Sequence, residues 1–374
     1  MKILFITNNL PPIVDGVGDY TYNIAKQFAA HKHEVYIICK HSQEINVEVS
    51  SITILPIINK WNFNCYKSIV KLIKEKSMDV VSLQYVPHGF HPKGLPFPII
   101  KLTSEIKRCN TKLFTFFHEV GVEPIKGNIK RTLLSKLMLY ITKLIIHKSD
   151  YIATSIEYYQ KMLLDLGSLK NINIPIIPIA SNIPETKLSN DELSNLKQHL
   201  APNNELIISF FGIRDISTSI ETITKLKEEG YKIKTLIIGK TSNKIQCILP
   251  DDTIKTGILD INEIDKYFKI SDVFILPQDN HYGCSFKSGS FATAIRTPLP
   301  IITSKGCLTS NILVDKVNIC FIDFSKKEEI YTAIKSSLND EYRMILKSNI
   351  AIISNNVNWE STYNNYINTI NHEY

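Results

Sequence analysis

The sequence predicts an α/β protein built as two Rossmann-like, doubly wound domains facing across a cleft. Three observations carry this. Short apolar strands alternate with helical patterns along almost the whole chain, as in parallel α/β architecture. At 374 residues the chain exceeds one ordinary core and suits two. A glycine-containing strand–loop–helix junction stands at the N-terminus, and a different one recurs at Ser271–Ser304.

The first series of strands reads as Ile3–Ile6, Glu34–Cys39, Ile52–Leu55, Val80–Gln84, Lys112–Phe117, Tyr151–Thr154 and Pro175–Pro178, each a short apolar run. Helical spacing predicts Val17–Ala30, Tyr66–Lys76, Pro98–Lys107, Ile129–His147 and Ile156–Leu166 between them. Ser181–Pro202 is polar, flanked by prolines and without apolar period, so it reads as a linker. A second series follows, with strands Leu206–Phe210, Ile233–Ile238, Ile254–Thr256, Val273–Leu276, Ile301–Thr303 and Ile319–Ile322. Its helices are Ser219–Glu229, Ile261–Phe268, Phe286–Ile295 and Glu328–Leu338, and the tail from Glu341 is helical again.

Hydrophobic content of 44% and charged content of 21% describe a soluble globular chain. Lys plus Arg number 43 against 36 for Asp plus Glu, a basic balance that favours anionic partners such as nucleotide phosphates or a membrane surface. No K/R-rich run or RNA-binding signature accompanies it, so nucleic acid is not an expected partner. The start M-K-I-L-F-I-T-N-N reads as a strand, not a signal peptide, and no apolar run nears the ~20 residues that span a bilayer. The seven cysteines show no C-x-x-C spacing and read as reduced thiols of a cytoplasmic protein.

The Ser271–Ser304 junction is the most informative segment. A strand that breaks at Gly283, Ser285, Ser288 and Gly289 before a helix aims backbone N–H groups and a positive helix end at one spot. Such a spot binds phosphate, and Lys287 adds a full charge.

Several segments, in order, resemble the GT-B glycosyltransferases of the retaining family 4. They are N-N-L-P-P-I-V-D-G-V-G-D-Y, F-F-H-E-V-G at Phe116–Gly121, I-A-S-N-I-P at Ile179–Pro184, G-I-L-D-I-N-E-I-D-K-Y-F-K-I-S-D-V-F-I-L-P, Y-G-C-S-F-K-S-G-S and N-W-E-S-T-Y-N-N-Y. The resemblance implies an acceptor-binding domain at 1–182, a nucleotide-sugar-binding domain at 183–355 and a last helix, 356–374, returning to the first domain. It implies donor contacts at Gly16, Gly18, Gly212, Gly283, Cys284, Ser285, Ser288 and Gly289. Two departures stand out. Many members carry a Glu-x7-Glu pair where this chain has Asn280 and Ser288, and the lysine that usually follows the arginine of F-F-G-I-R-D-I-S is missing.

Lys287 and Arg214 are the candidate diphosphate clamps, stabilising negative charge on the leaving group. His118 ends the strand K-L-F-T-F-F, at the edge where open α/β sheets bind ligands, and is the candidate contact to the transferred sugar. Asp19 and Glu119 are weaker candidates for acceptor contacts. No paired carboxylate and no D-x-D loop stands out, so neither a covalent nucleophile nor a metal is expected, and no cofactor beyond a nucleotide-sugar substrate.

Between Glu123 and Asp150 lie six basic residues (Lys126, Lys130, Arg131, Lys136, Lys143, Lys148) and no acid, on a helix with a broad apolar side. It suits an anionic inner-membrane surface presenting lipid-linked acceptors, or equally a domain helix with a solvated basic face. The leading expectation is transfer of a sugar from a nucleoside-diphosphate sugar to a glycan or lipid-linked acceptor in cell-surface polysaccharide synthesis. A nucleotide-sugar 2-epimerase and a non-catalytic nucleotide-sugar-binding partner remain the alternatives. A dehydrogenase fits less well, because neither half has a clean G-x-G-x-x-G with its acidic partner.

Overall fold

The computed structural model describes residues 1–42, 51–125, 127–169 and 173–371. The chain forms two compact units, Met1–Pro178 with Trp359–Tyr374, and Ile179–Asn358. The first contains β1 (Lys2–Ile6), α1 (Gly16–Ala30), β2 (Glu34–Lys40), β3 (Ile52–Ile58), α2 (Tyr66–Lys76), β4 (Val80–Tyr85), α3 (Pro87–Phe90), α4 (Phe97–Lys107), β5 (Lys112–Phe117), α5 (Ile129–Ile146), β6 (Tyr151–Thr154) and α6 (Glu157–Gly167). The second contains α7 (Asn190–Leu200), β7 (Leu206–Phe211), α8 (Ser217–Glu228), β8 (Ile233–Ile238), α9 (Asn243–Gln246), β9 (Ile254–Lys255), α10 (Ile261–Lys269), β10 (Val273–Leu276), α11 (Gly289–Arg296), β11 (Ile301–Thr303), β12 (Cys320–Phe321), α12 (Lys327–Ser336) and α13 (Asp340–Ser354). The last helix, α14 (Trp359–Asn371), packs on α1 in the first unit.

Each unit holds one six-stranded sheet, ordered β3-β2-β1-β4-β5-β6 and β12-β11-β10-β7-β8-β9, and every ladder is parallel. The central strands β1, β4, β7 and β10 are almost wholly buried, as parallel strands covered on both faces must be. Strand order reverses between β1 and β4 in one sheet and between β7 and β10 in the other. At each reversal the loops leaving the strands' C-terminal ends diverge and leave a crevice.

Three sequence expectations change. Pro175–Pro178 makes only the single bridge Thr154–Ile176, because its two prolines offer no N–H to a ladder. The expected linker Ser181–Pro202 contains α7, capped by a Ser189/Glu192 capping box. Helix α7 buries none of its residues, so the sequence carried no apolar period for it. The helix expected at Phe286–Ile295 begins three residues later, with Ser288 as its N-cap.

Candidate functional site

The second unit's site is built on the β7–β10 reversal. After β7 the chain turns at Gly212, with φ +83°, and reaches Arg214. The Arg214 guanidinium is half-buried; its Nη1 donates to Pro277 O at 3.4 Å, while the buried Nε has no hydrogen-bond partner. Burial lowers its pKa from the usual range, which marks the cost of holding that charge out of water. Arg214 lines a depression of about 530 Å³ with Asp215, Thr218, Pro277, Gln278 and Ser325.

The loop after β10 is pinned to the loop after β11. Cys284 N donates to Ser304 O at 2.9 Å, Cys307 N to His281 O at 2.8 Å and Leu308 N to Tyr282 O at 3.0 Å. Gly283 has φ +68°, and a Cβ there would stand 2.2 Å from Gly306 N. Only glycine fits where the two backbones meet. The loop then delivers Ser285, which is 5% exposed, and half-buried Lys287 to the start of α11. Ser288 Oγ accepts from Phe291 N at 3.4 Å, whereas the amides of Gly289 and Ser290 have no carbonyl four residues back inside the helix. The crossing segment is fastened here too, by Ile179 N to Phe286 O at 3.0 Å and by the Ser181–Thr293 hydroxyl pair at 2.8 Å.

Two expected donor contacts take other roles. Cys284 is fully buried, its amide is already bonded and burial pushes its thiol up to about 12, so its side chain belongs to the core. Ser288, placed by the resemblance where a glutamate usually sits, is a helix cap. Asn280 is bonded to Asp323. Lys287 lies directly before the cap.

In the first unit the loop after β1 leads into α1. The Asp15 carboxylate accepts from Val17 N at 2.9 Å and Gly18 N at 3.2 Å, and Asn9 Nδ2 donates to it at 2.8 Å. The helix end expected to face a diphosphate is therefore partly neutralised by its own N-cap. Gly18 has a packing reason, since a Cβ would stand 2.6 Å from Asn9 O. Gly16 is exposed with nothing within 4 Å of such a Cβ, so a ligand can approach it. Asp19 and Glu119 are both half-buried, on α1 and just past β5.

His118 follows β5, 5% exposed, its amide donating to Tyr85 O at 2.9 Å. Its Nε2 lies 3.0 Å from Gln84 Oε1, and the Tyr20 ring meets it edge-on at 4.9 Å. Sequence reasoning missed Gln84. The signal was present: Ser82 and Gln84 are the polar alternates in the otherwise apolar strand V-V-S-L-Q-Y. Missed as well were Asp15 as a cap and Gly306 as the partner of Gly283.

Two sheets of this topology, each with loops diverging at its strand reversal, define a GT-B-fold protein. Residues 14–180 match the model of Glycosyltransferase Family 4. The fold is shared with Anabaena Alr3699/HepE solved in complex with UDP (TM-score 0.73, 14% identity, 99% of each chain covered). It is shared too with a glycosyltransferase from Rickettsia africae (TM-score 0.69, 15% identity, 98% of this chain and 97% of that one). WaaG, described as a glycosyltransferase involved in lipopolysaccharide biosynthesis, is a third (TM-score 0.64, 12% identity, 99% of each). No curated protein sequence matches significantly. The chain has the GT-B fold, and its first half matches the Glycosyltransferase Family 4 model.

Proposed function

We propose that this enzyme moves a hexose-type sugar, with retention, from a nucleoside-diphosphate sugar bound by the second unit to a glycan or lipid-linked acceptor bound by the first. The product belongs to a cell-surface polysaccharide such as O-antigen or capsule. The observation that carries the reading is the β10–α11 junction, where Lys287 directly precedes the Ser288 N-cap and the first amides of α11. Arg214, on the loop after β7, is the second cation assigned to the diphosphate. These groups meet the charge that develops on the departing diphosphate without a metal, which is the work of a preorganised oxyanion-type site. The expected donor contacts are Gly16, Gly212, Ser285 and Gly289. Retention follows if the acceptor hydroxyl enters on the face the diphosphate leaves, with the diphosphate taking its proton. His118 contacts the transferred sugar, and Asp19 and Glu119 the acceptor. The UDP in the HepE structure supports a nucleotide ligand for this fold.

Thermal-shift titration with a panel of UDP- and GDP-sugars should reveal one stabilising donor. Lys287→Ala should weaken it about 10–100-fold, the loss expected of one charge-assisted contact. If no nucleotide sugar stabilises the wild type, this reading fails. Donor alone should give at most slow hydrolysis; interconversion of donors would instead identify an epimerase.

We also propose that α5 rests on an anionic membrane surface on the cytoplasmic side. Its buried side is Ser135, Met138, Ile141, Thr142, Ile145 and Ile146, yet Ile129, Leu133 and Tyr140 are 84%, 58% and 56% exposed among exposed Lys130, Lys136 and Lys143. Lys126, counted with this cluster from the sequence, lies outside the described residues. No helix among the described residues is long and apolar enough to cross a membrane. Sedimentation with phosphatidylserine vesicles should fall several-fold in Leu133→Ser/Lys136→Ser, at about 1 kcal/mol per basic residue, and vanish with neutral vesicles. Equal binding to both vesicle types would refute it.

A further inference from the structure

The chain's positive charge sits on one unit. The first unit holds twenty-two basic residues against fifteen acidic, the second twenty-one of each, so the whole excess lies on the first. Within the first unit the excess lies on one layer of helices. Helix α4 packs between α2 and α5. With Arg108, the C-cap of α4, these three helices carry eleven basic residues and two acids, Glu75 and Glu105. Helices α1 and α14, on the other face of the sheet, carry one basic residue, Lys26, against Asp19 and Glu360. Strand β5 separates the two layers. Phe114 and Phe116 stack on Tyr366 of α14, whereas Thr115, which points the opposite way, bonds Ser149 just past α5 at 2.7 Å.

The cations stand on outward ridges. On α2 they are Lys67, Lys71 and Lys74, at i, i+4 and i+7 opposite the buried Ile69 and Ile73. On α5 exposed Lys136 and Lys143 are interspersed with Ile129, Leu133 and Tyr140. The two acids are taken: Glu75 pairs with Lys71 at 3.7 Å, and Glu105 with Lys101 and Arg108. Lys67, Lys74, Lys136 and Lys143 make no ion pair among the described residues. We propose that the α2–α4–α5 face, not α5 alone, docks on an anionic bilayer with the first unit's sheet lying flat above it. This rests on the membrane reading of α5 given above and extends it. Neighbouring helix axes lie about 8–10 Å apart, so the cations spread over roughly 20 Å, which fits a plane of anionic headgroups and exceeds one phosphate. The apolar side chains among them reach the acyl boundary. The strands then run parallel to the membrane, and the crevice at their C-terminal ends opens along its surface, where a lipid-linked acceptor is presented.

Lysine acetylation of the full chain, read by mass spectrometry with and without phosphatidylserine vesicles, tests this. Lys67, Lys74, Lys136 and Lys143 should each lose reactivity on the vesicles, and Lys26 should keep it. Neutral phosphatidylcholine vesicles should protect none of them. Lys67→Ser/Lys71→Ser/Lys74→Ser, with its melting temperature unchanged, should weaken binding to phosphatidylserine vesicles about 10–100-fold. Lys26→Ser, on the other face, should change it less than about twofold. Protection confined to α5 overturns the inference and leaves the α5 reading standing, whereas protection on no helix defeats both. Equal protection of Lys26 overturns a one-sided face. Protection by dextran sulfate but not by vesicles overturns the bilayer and assigns the face to a soluble polyanion.

Discussion

Gly283→Ala is expected to destabilise the second unit by about 2–5 kcal/mol. The left-handed backbone costs an L-residue roughly 1–2 kcal/mol, and forcing atoms into a packed site adds about 1–3. The clash is not one a side chain can relieve. The nearest atoms to a new Cβ are Gly306 N at 2.2 Å and Lys305 C at 2.7 Å, both backbone, with Thr309 Oγ1 at 2.4 Å between them. Relief therefore means parting the β10 and β11 loops and losing their three cross-loop amide bonds. Because that loop also sets Lys287 and the start of α11, donor stabilisation should disappear together with hydrogen-exchange protection of Cys284 and Leu308. Gly212→Ala is the control: its φ is +83° but nothing lies within 4 Å, so only the backbone cost of roughly 1–2 kcal/mol applies. If the two variants lose equal stability, the close approach at Gly283 is not what holds the loop.

Asp265→Ala should cost about 3–5 kcal/mol, the usual result of stripping one partner from a buried ion pair. The Asp265 side chain is fully buried; it receives Arg296 Nη2 on Oδ1 and Thr186 N, at 2.9 Å, on Oδ2, with Lys269 at 3.7 Å. Arg296 Nη1 also donates to Ile183 O. Without the carboxylate, Arg296 and Lys269 lose their shared counter-charge, and the segment from Ile179 to Thr186 loses its Thr186 N bond to α10. The double change Asp265→Leu/Arg296→Met should regain much of the loss, because a well-packed apolar pair replaces a buried ionic one at little cost. Hydrogen exchange at Thr186 separates the outcomes. Protection unchanged in Asp265→Ala would show that the pair does not anchor this segment.

Much of the fold was legible. Lys112–Phe117, Tyr151–Thr154, Ile233–Ile238, Val273–Leu276 and Ile301–Thr303 appear with the bounds the apolar pattern gave them, because strands buried on both faces read as continuous apolar runs. Helix α7 was not, since it contributes nothing to the core, and the start of α11 was misplaced because Phe286 is buried by the loop and not by the helix. Of the candidate site, Arg214 and His118 fall just past C-terminal strand ends, a location strand order dictates, and Lys287 stands directly before the N-cap of α11. What Cys284, Ser288 and Gly18 do was not legible, because each depends on a neighbour distant in sequence or on a cap visible only once the helix exists.

By itself the sequence determined the α/β class, the two strand–loop–helix junctions and the charged residues beside them, all consequences of local pattern and period. The tertiary structure alone decided which N–H groups are already satisfied, which glycine carries two backbones in contact, and that the Gln84 side chain stands between His118 and Tyr366. Those depend on hydrogen bonds between segments such as β4 and α14, about 280 residues apart, and no local pattern encodes a partner at that distance.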